Sequence, residues 1–362
     1  MKIGIDARLY GLKNRGLGRY VKNLIDRLPE DNNEYVVFLL PENFNEFASK
    51  TKNIKKVLLP ARWYGLKEQW LVNKMAKKEK IDLMHFTHLN VPYFYSGKFI
   101  VTIHDLTINR FPDSRATTLP YPLYLIKLWA YKKIIKHALD KAEKIICPSN
   151  FVKQDLINFY HTRENKINVL YEGVDFKQLE KANQKIPDKI IKPYILYVGA
   201  AYPHKNLEFL IKSFTLFNKG NIYELVLVGR TDFFYERLIK DSANQKNIVF
   251  WGEASDGDLI NLYQNCLFFI FPSLNEGFGL PPLEAQNCEA AVLSSNSSCL
   301  PEILGKSALY FNPIKVDDLI EKMKELAESK DKREALIGLG NENYKRFSWD
   351  KMAKETFKLY QN

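Results

Sequence analysis

The sequence predicts an α/β protein built as two Rossmann-like halves, and three observations carry that prediction. At 362 residues the chain exceeds the size that one hydrophobic core usually fills, so two domains are expected. Its strand-like runs, such as the apolar 267–271 and the β-branched 99–103, do not alternate between apolar and polar, as strands buried on both faces of a parallel sheet do not. Strand, glycine-containing loop and helix also follow one another twice, from residue 2 and again from residue 194.

In the first half, strand 2–6 runs past Gly11 into Asn14-Arg15-Gly16-Leu17-Gly18-Arg19-Tyr20, a helical stretch over 20–28 and a second strand over 35–40. Because Arg-Tyr-Val follows Gly18, the loop departs from G-x-G-x-x-G; alone it indicates only a tight turn or a close backbone approach. A Lys-rich helix is expected over 66–80 and a strand over 81–86, with His85 and His88 read as histidines satisfied by hydrogen bonds. Strand 99–103 delivers His104 and Asp105 at its carboxyl end, the edge where open α/β sheets bind ligands. Tyr131, Ile134, Ile135, Ala138 and Ala142 recur at helical spacing opposite Lys132, Lys133, Lys136 and Asp140, which predicts an amphipathic helix from Tyr131. Trp129, Tyr121 and Tyr124 beside it admit a membrane-touching face as the alternative to an ordinary solvated one. Residues 145–147 form a strand, and Ser149 caps a helix that begins near Phe151. Residues 169–175 close this half, and a polar linker follows over 176–192.

The second half opens with strand 194–199 and the loop Ala200-Ala201-Tyr202-Pro203-His204-Lys205-Asn206 before a helix over 207–217. Lys205, at a helix start beside a glycine, suits the charge that develops on a departing diphosphate. Arg230, after strand 224–228, is a second cation for the same purpose. Asp256-Gly257-Asp258 imitates a metal motif, but it directly precedes a helical run and reads better as an N-cap. Strand 267–271 then leads into Asn275-Glu276-Gly277-Phe278-Gly279-Leu280-Pro281-Pro282-Leu283-Glu284-Ala285, where a helix starts at the prolines. Glycines that let backbone approach a ligand, with amides at a helix start, suit phosphates. Two carboxylates there, Glu276 at the strand end and Glu284 in the first helical turn, suit sugar hydroxyls; the bland alternative is a dipole cap and a solvated loop residue. A strand over 290–295, Glu302 as a nucleotide contact or a cap, an amphipathic helix over 316–327 and a final helix capped by Ser348 complete the chain.

Composition narrows the class. A hydrophobic content of 46% and an aromatic content of 13% exclude a disordered chain. Cys147, Cys266, Cys288 and Cys299 show no C-x-x-C spacing and read as reduced thiols, and the opening residues contain no signal-peptide-like apolar stretch, so a cytoplasmic protein is expected. Residues 1–175 carry 29 Lys and Arg against 18 Asp and Glu, which is the entire net charge of +11. Such a half attracts anions: a phospholipid surface, a pyrophosphate-linked acceptor or nucleic acid. Nucleic acid is disfavoured because the basic residues are not interleaved with aromatics in a known motif.

The string Pro272-Ser273-x-x-Glu276-Gly277-Phe278-Gly279-Leu280-Pro281-x-Leu283-Glu284-Ala285 resembles the two-glutamate signature of retaining glycosyltransferases of family 4. Thr102-Ile-His-Asp-Leu with Phe111-Pro112, Gly16-x-Gly18-Arg-Tyr, and Pro203-His-Lys-Asn fall in the order of that family, and together they look most like its O-antigen mannosyltransferases. The resemblance implies the GT-B fold, two Rossmann-like domains facing across a cleft. Residues 1–175 would bind the acceptor and 176–345 the nucleotide sugar, and 346–362 would form a helix crossing back to the first domain. It further implies metal-independent transfer, without a cofactor, of a hexose from a nucleotide sugar to a glycan, in lipopolysaccharide O-antigen or capsule synthesis. GDP-mannose is the favoured donor and a lipid-linked glycan the acceptor, which would place the enzyme at the inner face of the cytoplasmic membrane. By resemblance Glu276, His104 and Lys205 are catalytic, and Gly16, Gly18, Arg230, Gly277, Phe278, Gly279, Leu280 and Glu284 bind the donor; no metal ligand is expected. One residue departs from the family: His204 stands where an arginine is usual, which weakens a two-cation clamp on the diphosphate. The rivals are a UDP-hexose transferase, an epimerase of the same fold, a nucleic-acid-binding protein and an inactive scaffold.

Overall fold

The structure, a computed structural model, describes residues 1–11, 15–49, 51–174 and 189–361. Asn14, Asp175 and most of the expected linker lie outside the described residues. The chain forms two compact units. Unit 1 takes in Met1–Ser114, Thr118–Gly173 and the segment from Trp349 on; unit 2 takes in Arg115–Thr117 and Val174–Ser348.

Unit 1 contains seven strands: β1 (Lys2–Asp6), β2 (Glu34–Leu39), β3 (Ile54–Leu58), β4 (Leu83–Phe86), β5 (Phe99–Thr102), β6 (Lys144–Cys147) and β7 (Ile167–Val169). They pair in parallel in the order β3-β2-β1-β4-β5-β6-β7. Unit 2 contains β8 (Tyr194–Val198), β9 (Glu224–Val228), β10 (Ile248–Gly252), β11 (Phe268–Phe271), β12 (Val292–Ser295) and β13 (Leu309–Phe311), parallel in the order β10-β9-β8-β11-β12-β13. Each sheet winds one way from its first strand and then reverses. The reversal leaves a crevice at the carboxyl ends of β1 and β4 in unit 1, and of β8 and β11 in unit 2. The lack of alternation has its explanation here: β4, β5 and β11 are buried at every residue of a parallel sheet, polar His85 and Thr102 included.

Several expected elements shift. The helix expected from Tyr131 starts ten residues earlier and spans Tyr121–Lys141. Its first turns show no apolar face because Tyr121, Leu123, Leu125, Ile126 and Trp129 are all exposed, so periodicity could not reveal them. Tyr124, grouped with the exposed aromatics, is buried. Gly16 and Gly18 are helical rather than loop residues, since the helix Arg15–Ile25 begins ahead of both. His85 lies inside β4, not at its end. Ser255, not the Asp-Gly-Asp run, caps the helix Asp256–Asn265, and Asp258 completes a capping box by bonding back to the Ser255 amide. Ser149 caps the helix Asn150–Tyr160 as expected, accepting from the Val152 amide at 3.3 Å.

The final helix, Trp349–Gln361, belongs to unit 1 and packs on Arg15–Ile25. Trp349, Met352, Ala353 and Tyr360 are its buried face, and Arg27 pairs with Asp350 at 2.5 Å. Among the described residues no helix is long and apolar enough to cross a membrane.

Candidate active site

In unit 2 the crevice between β8 and β11 brings together Lys205, Glu276 and the stretch from Gly277 to Glu284, while Gly16 and Gly18 lie in unit 1. After β8 the chain makes the turn Pro203–Lys205, and Asn206 adopts a left-handed conformation at φ 64° before the helix Leu207–Phe217. The Asn206 side chain donates to the carbonyls of Pro272 and Pro313, at 3.2 and 2.9 Å, while the Leu274 amide donates to the His204 carbonyl at 2.8 Å. The loops that follow β8, β11 and β13 are thus stitched together, and Lys205 is fixed in its place. Its Nζ bonds Glu276 Oε1 at 2.6 Å and lies 5.9 Å from the centre of the Phe271 ring. Both side chains are partly buried, with 18% exposure for Lys205 and 13% for Glu276, so the pair is accessible but shielded. The Glu276 amide donates to Ser298 Oγ, and Ser295 Oγ to the Ser273 carbonyl, which ties the motif to the end of β12.

Beyond Glu276 the backbone turns into the helix Leu280–Asn287 through Gly279, whose φ is +94°. A Cβ at Gly279 would also meet Leu300 Cδ2 at 2.9 Å, so both conformation and space select glycine. Two of the first four residues of this helix are Pro281 and Pro282, which have no amide hydrogen. The helix start therefore presents fewer donors than the sequence suggested: of those four positions only Leu280 and Leu283 have an N–H. Phe278 is a core residue, edge-on to Phe347 at 5.5 Å, and its carbonyl accepts from Cys299 Sγ at 3.2 Å, so only its backbone can serve a ligand. Burial, and after it the Glu276 and Glu302 carboxylates, hold the Cys299 thiol protonated.

Glu284 falls in the second turn of the helix rather than the first, because the helix begins at Leu280. It is buried, and Tyr263 Oη donates to its Oε2 at 3.4 Å. Arg230 follows β9, 64% exposed, and reaches Glu253 at 3.6 Å. The backbone of Gly229 and that of Gly199 approach so closely that a Cβ on Gly229 would meet the Gly199 carbonyl oxygen at 2.2 Å. His204 stacks parallel to Tyr202 at 5.9 Å.

The carboxyl edge of unit 1 is a mesh of buried polar groups. Tyr20 joins the two stretches that resemble the family signature: its hydroxyl lies 3.0 Å from Thr102 Oγ1 and its ring is edge-on to His104 at 4.6 Å. Thr102 Oγ1 also meets His85 Nε2 at 2.8 Å, and His85 Nδ1 meets Tyr360 Oη at 2.7 Å. His104 is buried; its Nε2 contacts the Thr87 carbonyl at 3.0 Å and its Nδ1 contacts Glu172 at 3.1 Å. A sugar contact through either nitrogen would displace one of these partners.

Sequence reasoning missed a buried ionic group beside them. Arg8 forks onto Asp6 through Nε and Nη2, at 2.8 and 2.7 Å, and reaches Glu68 through Nη1 at 2.8 Å. Glu68 also accepts from both Asn90 Nδ2 and the Tyr64 amide. The signal available in the sequence was a charged Asp-Ala-Arg at the end of an apolar strand. Among the described residues no three His, Cys, Asp or Glu side chains gather as a metal site would require.

Family models match both units. Residues 14–178 match the description Glycosyltransferase Family 4, and residues 177–342 match Glycosyl transferases group 1. The chain belongs to these glycosyltransferases. The O-antigen chain mannosyltransferase RfbU of Salmonella typhimurium is 27% identical over 282 residues, 77% of this chain and 73% of that protein. The O-antigen chain mannosyltransferase B of Escherichia coli is 24% identical over 376 residues, 95% of each. A sucrose-phosphate synthase of Thermosynechococcus elongatus superposes with a TM-score of 0.77 at 17% identity, covering 100% of this chain and 98% of that one. The fold is GT-B, and the protein is a glycosyl-transferring enzyme.

Proposed function

We propose that this enzyme is a retaining, metal-independent hexosyltransferase that moves mannose from GDP-mannose to a lipid-linked glycan, in the assembly of an O-antigen or capsule. The observation that carries the reading is the Lys205–Glu276 pair at the switch point of the unit 2 sheet, beside the Gly279 turn into a helix. A cation at that position stabilises the departing diphosphate, and the carboxylate accepts hydrogen bonds from the transferred sugar. Glu284 accepts from the ribose, Arg230 adds charge at the diphosphate, and the backbones of Gly277, Phe278, Gly279 and Leu280 border the sugar. In unit 1, Gly16 and Gly18 serve the donor, His104 supports the sugar, and the carboxyl edge serves the acceptor. The mannose assignment draws on the names of the O-antigen relatives. A UDP-hexose donor is the alternative within the same chemistry.

A membrane surface suits the helix Tyr121–Lys141, where exposed Tyr121, Leu123, Ile126 and Trp129 lie among Lys127, Lys132 and Lys133. Pelleting with vesicles, with and without anionic lipid, tests that contact. The donor is tested by thermal shift and slow hydrolysis against GDP-mannose, UDP-glucose, UDP-GlcNAc, UDP-GalNAc and ADP-glucose in EDTA. GDP-mannose should bind with EDTA present and fail to bind Glu276→Ala; a UDP-sugar hit replaces the donor, and loss of binding in EDTA refutes metal independence. Proton NMR of the first hydrolysis product reads the anomer, and an inverted one overturns retention.

A further inference from the structure

His104 follows β5, and each of its ring nitrogens ends on an oxygen of a different segment. Nε2 lies 3.0 Å from the carbonyl of Thr87, the residue after β4, and Nδ1 lies 3.1 Å from Oε1 of Glu172, three residues past β7. A carbonyl oxygen only accepts, so Nε2 carries a hydrogen. An ionised carboxylate is also only an acceptor, and a bare Nδ1 facing it would set two lone pairs against each other in a buried place. A hydrogen therefore lies between Nδ1 and Oε1, borne by one atom or the other. His104 and Glu172 are 8% and 5% exposed, so water is poorly placed to substitute for either partner. The Tyr20 ring, edge-on at 82°, fixes the plane of the imidazole from a third side.

We propose that Glu172 is a positioning residue for the reaction: through the hydrogen it shares with His104 it fixes the tautomer and ring plane of that histidine and ties the last stretch of unit 1 to the ends of β4 and β5. The proposal rests on the reading of this edge as the one that serves the acceptor and supports the sugar: with Nδ1 held by Glu172, the sugar takes the Nε2 hydrogen in place of the Thr87 carbonyl. The groups that bear on the pair are Tyr20 from the helix Arg15–Ile25, His85 within β4, His88 beyond it, and Asp105 on the histidine's own segment. Burial, then the neighbouring His104, lowers His85 to about 3 and His88 to about 4, so neither supplies a competing charge near neutrality. A glutamine at 172 keeps a hydrogen between the two residues, because its amide can donate to a bare Nδ1.

The test combines a spectroscopic and a kinetic readout on the full-length chain. Histidine-selective 15N NMR of the native protein, Glu172→Gln and Glu172→Ala, with His104→Ala to assign the signal, should show His104 Nδ1 losing its hydrogen bond in Glu172→Ala and changing its proton sharing in Glu172→Gln. Hydrolysis of GDP-mannose should fall about tenfold in kcat for Glu172→Ala, the lower end of what losing a histidine's orienting partner costs. KM should stay within about twofold, and Glu172→Gln should recover most of the rate. An His104 signal that is the same in native and both variants overturns the proposal. So does an altered signal with native kcat and KM in Glu172→Ala, because the pair would then be purely structural. If Glu172→Ala does not fold, Glu172→Gln carries both arms. If the native chain hydrolyses no nucleotide sugar, the donor reading fails separately, and the NMR arm alone decides whether the hydrogen is shared.

Discussion

At the carboxyl edge of unit 1, Asp6, Arg8, Glu68 and Asn90 bond to one another with side chains almost wholly removed from solvent; at the same edge of unit 2, Lys205 and Glu276 form a partly exposed pair beside a glycine turn. The strand order is the same over six strands, with β7 added at the far side of the unit 1 sheet, so the topology at the crevice does not make the difference. The polar groups of unit 1 are largely committed to each other: His85 to Tyr360 and Thr102, His104 to Thr87 and Glu172. Unit 2 keeps its charges where a ligand can reach them. A parallel sheet with its reversal of strand order provides a crevice; whether the crevice is rigid scaffold or reactive site depends on what the side chains bond to before a ligand arrives.

The sharpest way to break this comparison is to remove a charge from each edge. Arg8→Met should destabilise unit 1 by about 3–5 kcal/mol, because Asp6 and Glu68 would be left as buried, uncompensated carboxylates. Hydrogen exchange of the β1 and β4 amides reads that loss, and an unchanged exchange rate would refute the assignment of Arg8 as scaffold. Lys205→Ala or Glu276→Ala should instead leave unit 2 folded and lower turnover of GDP-mannose by about 10²–10³, roughly 3–4 kcal/mol of transition-state stabilisation. Substantial activity in Lys205→Ala would place the diphosphate elsewhere, and in Glu276→Ala the transferred sugar.

The next effect appears only as pH falls. His85 is held neutral, lowered from 6.5 to about 3, first by burial and then by His104. The unfolded chain takes up a proton near pH 6.5 that the folded unit refuses, so this contribution to stability is intact above that pH and drains away as pH falls toward 3. Between pH 6.5 and 5 the native protein should lose about 2 kcal/mol more than His85→Gln does, measured from urea midpoints at each pH. Equal losses would mean that the imidazole accepts a proton in place.

How much of this was legible in the sequence follows the same division. Strand runs such as β5 and β11 announced themselves because burial on both faces leaves a string without apolar–polar alternation. The Lys205 and Glu276 stretches were legible because turns at the end of a strand constrain residue type locally, through glycines, prolines and charges set a few positions apart. The Arg8 group was not, since its members come from the ends of β1 and β4 and from the helix Leu66–Lys78, up to 84 positions apart along the chain. Glu172 escaped for the same reason: its partner is 68 residues away. The exposed first turns of the helix Tyr121–Lys141 were missed differently, because an element apolar on all sides has no periodicity to read.

The smallest expected effect concerns Arg230, and it bears on whether His204 leaves unit 2 short of charge. Arg230 follows β9, next to β8 in the sheet, and reaches Glu253 at 3.6 Å with both side chains largely exposed. An exposed pair at that distance contributes between zero and about 1 kcal/mol to stability, so Arg230→Ala should leave the melting temperature nearly unchanged. Any cost should be seen in the donor: an exposed guanidinium near a diphosphate is screened by water and salt, and its loss should weaken GDP-mannose binding by about fivefold or less, less still at high ionic strength. His204→Arg should offset that loss if the two positions serve one diphosphate. Donor affinity that does not change in Arg230→Ala would remove Arg230 from the site and leave Lys205 as the cation on which the unit 2 edge depends.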